Sequence, residues 1–195
     1  MHWRSIVLLL SLVVTGRAFE SVPFQPPSVG DTPFTRLTAK ETGIDFISPL
    51  IVDHPLNYLY HSGFACGSVA IGDLNQDGWP DIFLTRGPGE NGLFLQRSDE
   101  RLRFDDVAAS LGVGGENRWG TGSALVDIDN DGDLDIYVCN YRGKHQLYLN
   151  QLVPTGKLGF EERAAAYGLD VVNASMTPAF ADIDNDGDLD LYMLN

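Results

Sequence analysis

The chain has 195 residues, 44% of them apolar, with a formal net charge of −14 at pH 7 and two cysteines. Thirteen Lys and Arg against 27 Asp and Glu leave little of the cationic footprint that nucleic acid or an anionic membrane surface requires. The charge has a local origin: thirteen of the 27 acids lie in three short loops, and without residues 1–18, which carry Arg4 and Arg17 and no acid, the balance is −16. An acidic disordered chain is the competing reading of such a composition, but disorder lacks aromatic, β-branched strands at a fixed period.

At the amino terminus His2 and Arg4 precede an apolar stretch from Ile6 to Val14, followed by Gly16-Arg17-Ala18 as a small-residue cleavage site. Residues 1–18 therefore read as a secretory signal. A spanning helix needs about 20 apolar residues, which makes a retained anchor the lesser reading. No other segment is apolar enough to cross a bilayer, so no membrane span is expected once the signal is removed. Residues 19–33 form a linker, with four prolines between Ser21 and Pro33 and few core-type residues. The folded part is expected to run from about Phe34 to the end of the chain, starting in a strand.

The pattern Asp-x-Asx-x-Asp-Gly-x-x-Asp then occurs three times, at 73–81, 127–135 and 182–190. In each copy, oxygens at positions 1, 3, 5 and 9 can converge on a cation because the glycine at position 6 lets the backbone turn sharply. The expected ligands are Asp73, Asn75, Asp77, Trp79 and Asp81; Asp127, Asp129, Asp131, Asp133 and Asp135; and Asp182, Asp184, Asp186, Asp188 and Asp190. Position 7 contributes only its backbone carbonyl in common, since Trp79 stands where the other copies have Asp. Oxygen-only ligands suit a hard cation with six to eight ligands, Ca²⁺ before Mg²⁺ and well before Zn²⁺, giving three expected Ca²⁺ sites. An EF-hand would end in a bidentate Glu at position 12 between two helices. Here position 12 is Leu84, Val138 and Met193, and runs such as Asp81-Ile-Phe-Leu84 and Asp135-Ile-Tyr-Val138 read as strands.

The first Asp recurs at 73, 127 and 182, intervals of 54 and 55 residues, and the likeness extends through each unit. Ala70, Ala124 and Ala179 stand three residues before the loops. Leu93-Phe-Leu-Gln96 matches Leu147-Tyr-Leu-Asn150, and Phe104-Asp-Asp-Val matches Phe160-Glu-Glu-Arg. Units starting near 68, 122 and 177 with four short strands each predict an all-β fold of propeller blades, four antiparallel strands per blade. Apolar residues on both faces of the second strand suit a sheet sandwiched between two others. The chain holds about two and a half such blades, an incomplete ring. Asn195 aligns with Asn140 and Arg86, at the end of a second strand, which predicts a fragment of a longer propeller.

These units resemble FG-GAP or VCBS-type repeats, the calcium-loop blades of integrin α-subunit propellers and many extracellular proteins. Within that family the segment Phe34-Thr-Arg-Leu-Thr-Ala-Lys-Glu-Thr-Gly-Ile44-Asp-Phe46 is similar to the opening of the cartilage acidic protein and UnbV-type group. The resemblance implies an extracellular, calcium-binding propeller. Members of the group typically close seven blades and often carry an EGF-like segment, which these residues do not show.

Cys66 and Cys139 could pair in a secreted protein or stand as buried thiols. Asn173-Ala-Ser175 is a possible glycan acceptor. No His-Glu-x-x-His, Gly-x-Ser-x-Gly or phosphate-binding glycine loop occurs, and His54, His61 and His145 stand alone, so no enzyme is expected. If calcium loops are first turns, the opposite ends of the blades collect Arg86 to Asn91, Glu116 to Trp119 and Tyr141 to His145. Trp119, Tyr141 and Arg142 are of the types enriched in binding hot spots, with blade packing the alternative role for Trp119. The expectation is a secreted calcium-binding module for a protein or glycan ligand in the extracellular matrix. The alternative is an accessory region of a secreted enzyme acting on glycans or lipids, its catalytic domain outside this chain.

Overall fold

Strands form where apolar residues flank the acidic loops, and they pair with their sequence neighbours. The computed structural model describes residues 35–62 and 67–195. The apolar amino terminus, the proline-rich stretch 19–33, Phe34 and Cys66 lie outside them. Strands β1 (Val69–Gly72), β2 (Asp81–Leu84), β3 (Gly92–Gln96) and β4 (Phe104–Asp106) make an antiparallel sheet in that order. Strands β5 (Gly120–Val126), β6 (Asp135–Asn140), β7 (Gln146–Asn150) and β8 (Phe160–Glu162) repeat it, and β9 (Thr177–Ala181) pairs with β10 (Asp190–Leu194) in a two-stranded third sheet. The fold is all-β, with successive blade-like meanders that do not close into a ring.

Register assigns each side chain a face. Opposite partners such as Ile71 and Ile82, and Ile82 and Phe94, share one face of the first sheet. Phe83 and Leu93 share the other. That second face packs against Ile136, Val138 and Tyr148 of the middle sheet, with Leu74, Ala108 and Val113 filling the same cluster. Tyr137, Cys139, Leu147 and Leu149 on the middle sheet's far side meet Phe180, Leu191 and Met193 of the third. All of β6 is buried, because its alternate residues serve two interfaces. Each large apolar side chain so buried contributes roughly 1.5–3 kcal/mol before entropy is counted.

Polar contacts join the layers at the repeat spacing. Ser68 and Ser123 share a hydroxyl hydrogen bond of 2.7 Å, and Thr121 Oγ1 donates to the Ser175 carbonyl at 2.6 Å. Gly122 has no room for a side chain, because a Cβ there would stand 2.1 Å from the Met176 carbonyl oxygen.

Residues 37–62 differ from the strand start expected after the linker. They contain no strand; they hold a short helix α1 (Ala39–Thr42) and a 3₁₀ turn at Asn57–His61. Thr38 and Glu41 form a reciprocal capping box that favours helix over extended chain. This strap crosses the first sheet: Phe46 packs edge-on against Phe94 at 6.1 Å, and Arg86 lies 4.6 Å over the Phe46 ring while donating to the Ile47 carbonyl. Arg103 donates to the carbonyls of Lys40 and Glu41. No described helix is long and apolar enough to cross a membrane.

Candidate metal centre

Each acidic nonapeptide forms the turn between the first and second strands of its sheet. Glycines 78, 132 and 187 take φ of 87°, 100° and 97°, which a side chain would resist. Position 4 also adopts the left-handed region, at Gln76, Asn130 and Asn185, where Asn is tolerated better than most residues.

Position 1 organises the turn through backbone donors. Asp73 accepts from the N–H groups of Asp77 and Gly78, Asp127 from Asp131 and Gly132, and Asp182 from Asp186 and Gly187, all at 2.8–3.2 Å. Position 5 accepts from the N–H of position 7 in all three loops. Carboxylate oxygens of Asp127, Asp129 and Asp135 lie within 4.8 Å of one another, as do those of Asp182, Asp184 and Asp190. The fold thus brings positions 1, 3 and 9 together in the second and third loops. Positions 5 and 7 stand outside these groups, yet in the second loop Asp131 Oδ2 and Asp133 Oδ1 are buried without a hydrogen-bond partner. A buried carboxylate oxygen with no donor is costly. A hard cation would supply what these two atoms lack, so the donor set and its orphaned oxygens fit Ca²⁺.

Position 9 has a second task that sequence spacing does not show. Asp81 Oδ2 accepts from Leu74 N and its Oδ1 from Gln96 N, both at 2.9 Å. Asp135 repeats this with Ile128 N and Asn150 N. The carboxylate therefore clamps the loop to the end of the third strand. Burial pushes the Asp81 carboxyl up to about 6 and the Asp135 carboxyl up to about 7, the neighbouring loop acids adding to the effect. Burial likewise raises Asp129 and Asp133, and Asp186 raises its neighbour Asp188.

Two amides that are not among the expected ligands support the loops. Asn150 Nδ2 donates to the carbonyls of Leu74 and Leu134, one in each of the first two loops. Gln76 Nε2 donates to the Gly132 carbonyl at 2.8 Å. The parallel between Leu93-Phe-Leu-Gln96 and Leu147-Tyr-Leu-Asn150 marked the third strands, and its shared terminal amide was the available signal.

At the opposite ends of the sheets Trp119 is buried, packed at a tilt against His54 and Tyr60 with ring centroids at 5.2 and 5.4 Å. Its role is packing. Arg86 is likewise committed to the strap. Arg142 stays exposed, 5.6 Å from the Tyr141 ring, and Tyr58 hydrogen-bonds Tyr141. His145 is buried, its Nδ1 accepting from Asn140 N, and burial lowers its pKa. Cys139 is buried, its thiol pushed up to about 12. The Asn173 carboxamide oxygen accepts from both the N–H and the hydroxyl of Ser175, whose side chain is fully buried.

An FG-GAP-like repeat family model matches residues 73–138 and 127–193. Cartilage acidic protein 1 of Homo sapiens is 36% identical over 127 residues, 65% of this chain and 19% of that protein. The Mus musculus and Xenopus tropicalis proteins of the same name are 35% and 34% identical over the same length. The chain thus spans about a fifth of the length of the curated relatives it matches. With each matched span running from one acidic turn through the strand that follows the next, the chain belongs to the FG-GAP-like repeat family.

Proposed function

We propose that this chain is a secreted, calcium-stabilised repeat module that engages a protein or glycan ligand in the extracellular matrix. The observation that carries the calcium reading is the second loop, where three carboxylates converge within 4.8 Å and two further buried carboxylate oxygens have no donor. Asp127, Asp129, Asp131, Asp133 and Asp135 would hold the ion there, and the equivalent residues would do so in the other two loops. Bound Ca²⁺ would neutralise like charges that otherwise repel, making the loops rigid turns between strands. Extracellular modules of this kind bind with Kd of about 10⁻⁴–10⁻³ M. The named cartilage relatives and the apolar amino terminus support secretion.

The ligand surface is assigned to the end opposite the loops, where Tyr58, Tyr141 and Arg142 cluster in partial or full exposure. Aromatic and Arg side chains carry much of the energy of recognition. Isothermal calorimetry with Ca²⁺ tests the metal reading: binding lost in the Asp127→Ala, Asp182→Ala and Asp73→Ala combination is expected, and absence of binding in the unaltered chain at millimolar Ca²⁺ would refute it. Matrix-protein and glycan arrays probed with the unaltered chain and with Arg142→Ala test the surface. A ligand whose binding ignores Arg142→Ala and Tyr141→Ala would move the site elsewhere.

A further inference from the structure

The first two acidic turns are joined through residues that are not expected ligands. Gln76, at position 4 of the first turn, stands between Asn75 and Asp77, and its Nε2 donates to the Gly132 carbonyl at position 6 of the second, 2.8 Å away. Gly132 N in turn donates to Asp127 Oδ2, so the same glycine is tied to the position-1 acid of its own loop. This first bridge runs over the surface.

A second bridge is buried from end to end. Asp81 Oδ2 accepts from Leu74 N at 2.9 Å, the Leu74 carbonyl accepts from Asn150 Nδ2 at 2.9 Å, and Asn150 N donates to Asp135 Oδ1 at 2.8 Å. Asp81, Leu74, Asn150 and Asp135 are each at most 1% exposed. Three hydrogen bonds thus connect the position-9 carboxylate of one loop to that of the next. The same Asn150 amide also holds the Leu134 carbonyl of the second loop. Among the described residues no hydrogen bond links the third loop to the first; those of its side chains stay within the loop.

We propose that the first two loops bind calcium cooperatively, with Asn150 and Gln76 as the positioning residues that couple them, which presupposes the calcium reading above. Asp135 held on a cation fixes the Asn150 backbone, the Asn150 amide fixes the Leu74 carbonyl, and Leu74 N then meets Asp81 already in place. Ordering imposed at one loop is therefore not repeated at the other, and the second ion binds more tightly than it would alone. Such coupling is reciprocal and typically amounts to about fivefold or more. Charge acts the other way, because a cation in one loop weakens the negative field at its neighbour. Salt screens that field between exposed groups over about 8 Å at physiological ionic strength, whereas a buried chain of hydrogen bonds transmits order at any salt concentration.

Calcium calorimetry on the full chain at physiological ionic strength tests this, with loops disabled singly and in pairs by Asp77→Ala, Asp129→Ala and Asp184→Ala. In a chain with two loops intact, the product of the two stepwise association constants, divided by the product of the two single-loop constants, is the coupling factor. A factor of about five or more is expected for the first and second loops, and a factor at or below about one for the first and third, which share no bridge. Gln76→Met keeps the side-chain length without the donor and should lower the first factor; Asn150→Leu should bring it towards one. Each factor is a ratio within one background, so a change in a single site's own affinity cancels. Should Asn150→Leu unfold the chain, the Gln76→Met comparison decides alone. A first factor near one, an equal factor for the first and third loops, or a factor that Gln76→Met leaves unmoved would each overturn the proposal. Absence of calcium binding in every chain would overturn the metal reading and the coupling together, whereas two independent sites would overturn the coupling alone.

Discussion

The second and third loops carry the same nine residues, Asp-Ile-Asp-Asn-Asp-Gly-Asp-Leu-Asp, at 127–135 and 182–190, and lie in different surroundings. In the second loop Asp133 and Asp135 are buried, Asp133 accepts from Val153 N, and Asp135 is clamped between Ile128 N and Asn150 N. In the third loop Asp188 is exposed and Asp190 accepts from Ile183 N. Identical local sequence makes the same turn twice, with positive φ at Asn130 and Asn185 and at both glycines. What differs is the neighbouring strand and helix that enclose the carboxylates. Loop shape is a local property, and the cost of holding its charges is a tertiary one.

Removing calcium should break the comparison most strongly. At tenfold excess over Kd each site adds about 1.4 kcal/mol, so three sites give about 4 kcal/mol. For a chain of this size that is a fall in Tm of roughly 10 °C on chelation, read by calorimetry. An unchanged melt with chelator and with millimolar Ca²⁺ would rule out a structural metal.

The clamp should separate the two loops next. Asp135→Ala leaves Ile128 N and Asn150 N without an acceptor and should cost about 2–6 kcal/mol, since each buried unpaired donor costs about 1–3 kcal/mol. Asp190→Ala removes one exposed acceptor and should cost about 1 kcal/mol or less. Urea unfolding in chelator, where metal loss cannot contribute, measures both. Equal costs would mean that the burial around Asp135 is energetically silent.

Titration sharpens the same contrast. Folded-state values of about 6 for Asp81 and about 7 for Asp135 lie above the ordinary Asp value of about 3.9. The folded chain therefore binds more protons than the unfolded one, and these two groups favour folding most below about pH 4. That contribution is lost as pH rises through about 6 and 7. The metal-free chain should lose stability over this window. Calcium affinity of the second loop should move the other way, rising about tenfold per pH unit up to about pH 7, because Asp135 must release its proton. Calorimetric affinities that stay flat between pH 5 and 7 would count against Asp135 as a ligand.

The smallest effect concerns position 7 and the link between loops. Trp79→Ala should leave calcium affinity at the first loop within a few-fold, because on the proposed reading position 7 would offer only its backbone carbonyl, whereas Asp77→Ala should abolish it. Gln76→Ala removes the bond to the Gly132 carbonyl and should cost about 0.5–1.5 kcal/mol. Calorimetry on chains with the other loops disabled distinguishes the three variants.

Much of this was legible because it repeats. The strands after each loop, the alternation of Ile82, Phe83 and Leu84 between two faces, and the grouping of positions 1, 3 and 9 all follow from the period of 54 and 55 residues and from oxygen chemistry. Three features escaped. A packing role for Trp119 was the favoured expectation, but not its partners: the indole packs on His54 and Tyr60, two residues more than fifty positions away that no local pattern connects to it. The strap 37–62 has no partner in the repeat, so periodicity could say nothing about where it lies. Asn150 and Gln76 bridge loops through side-chain amides, and a sequence does not reveal which carbonyl an amide will reach.

By itself the sequence determined what is local or periodic: a glycine at the position where φ must be positive, acids spaced to converge around one turn, and β-branched and aromatic runs of strand length. Those choices act within a few residues, so they can be read in order along the chain. Tertiary structure decided how buried each copy of the same nonapeptide is and which carboxyls are pushed toward neutral pH. Burial and desolvation depend on residues more than fifty positions away, and two identical segments respond to them differently.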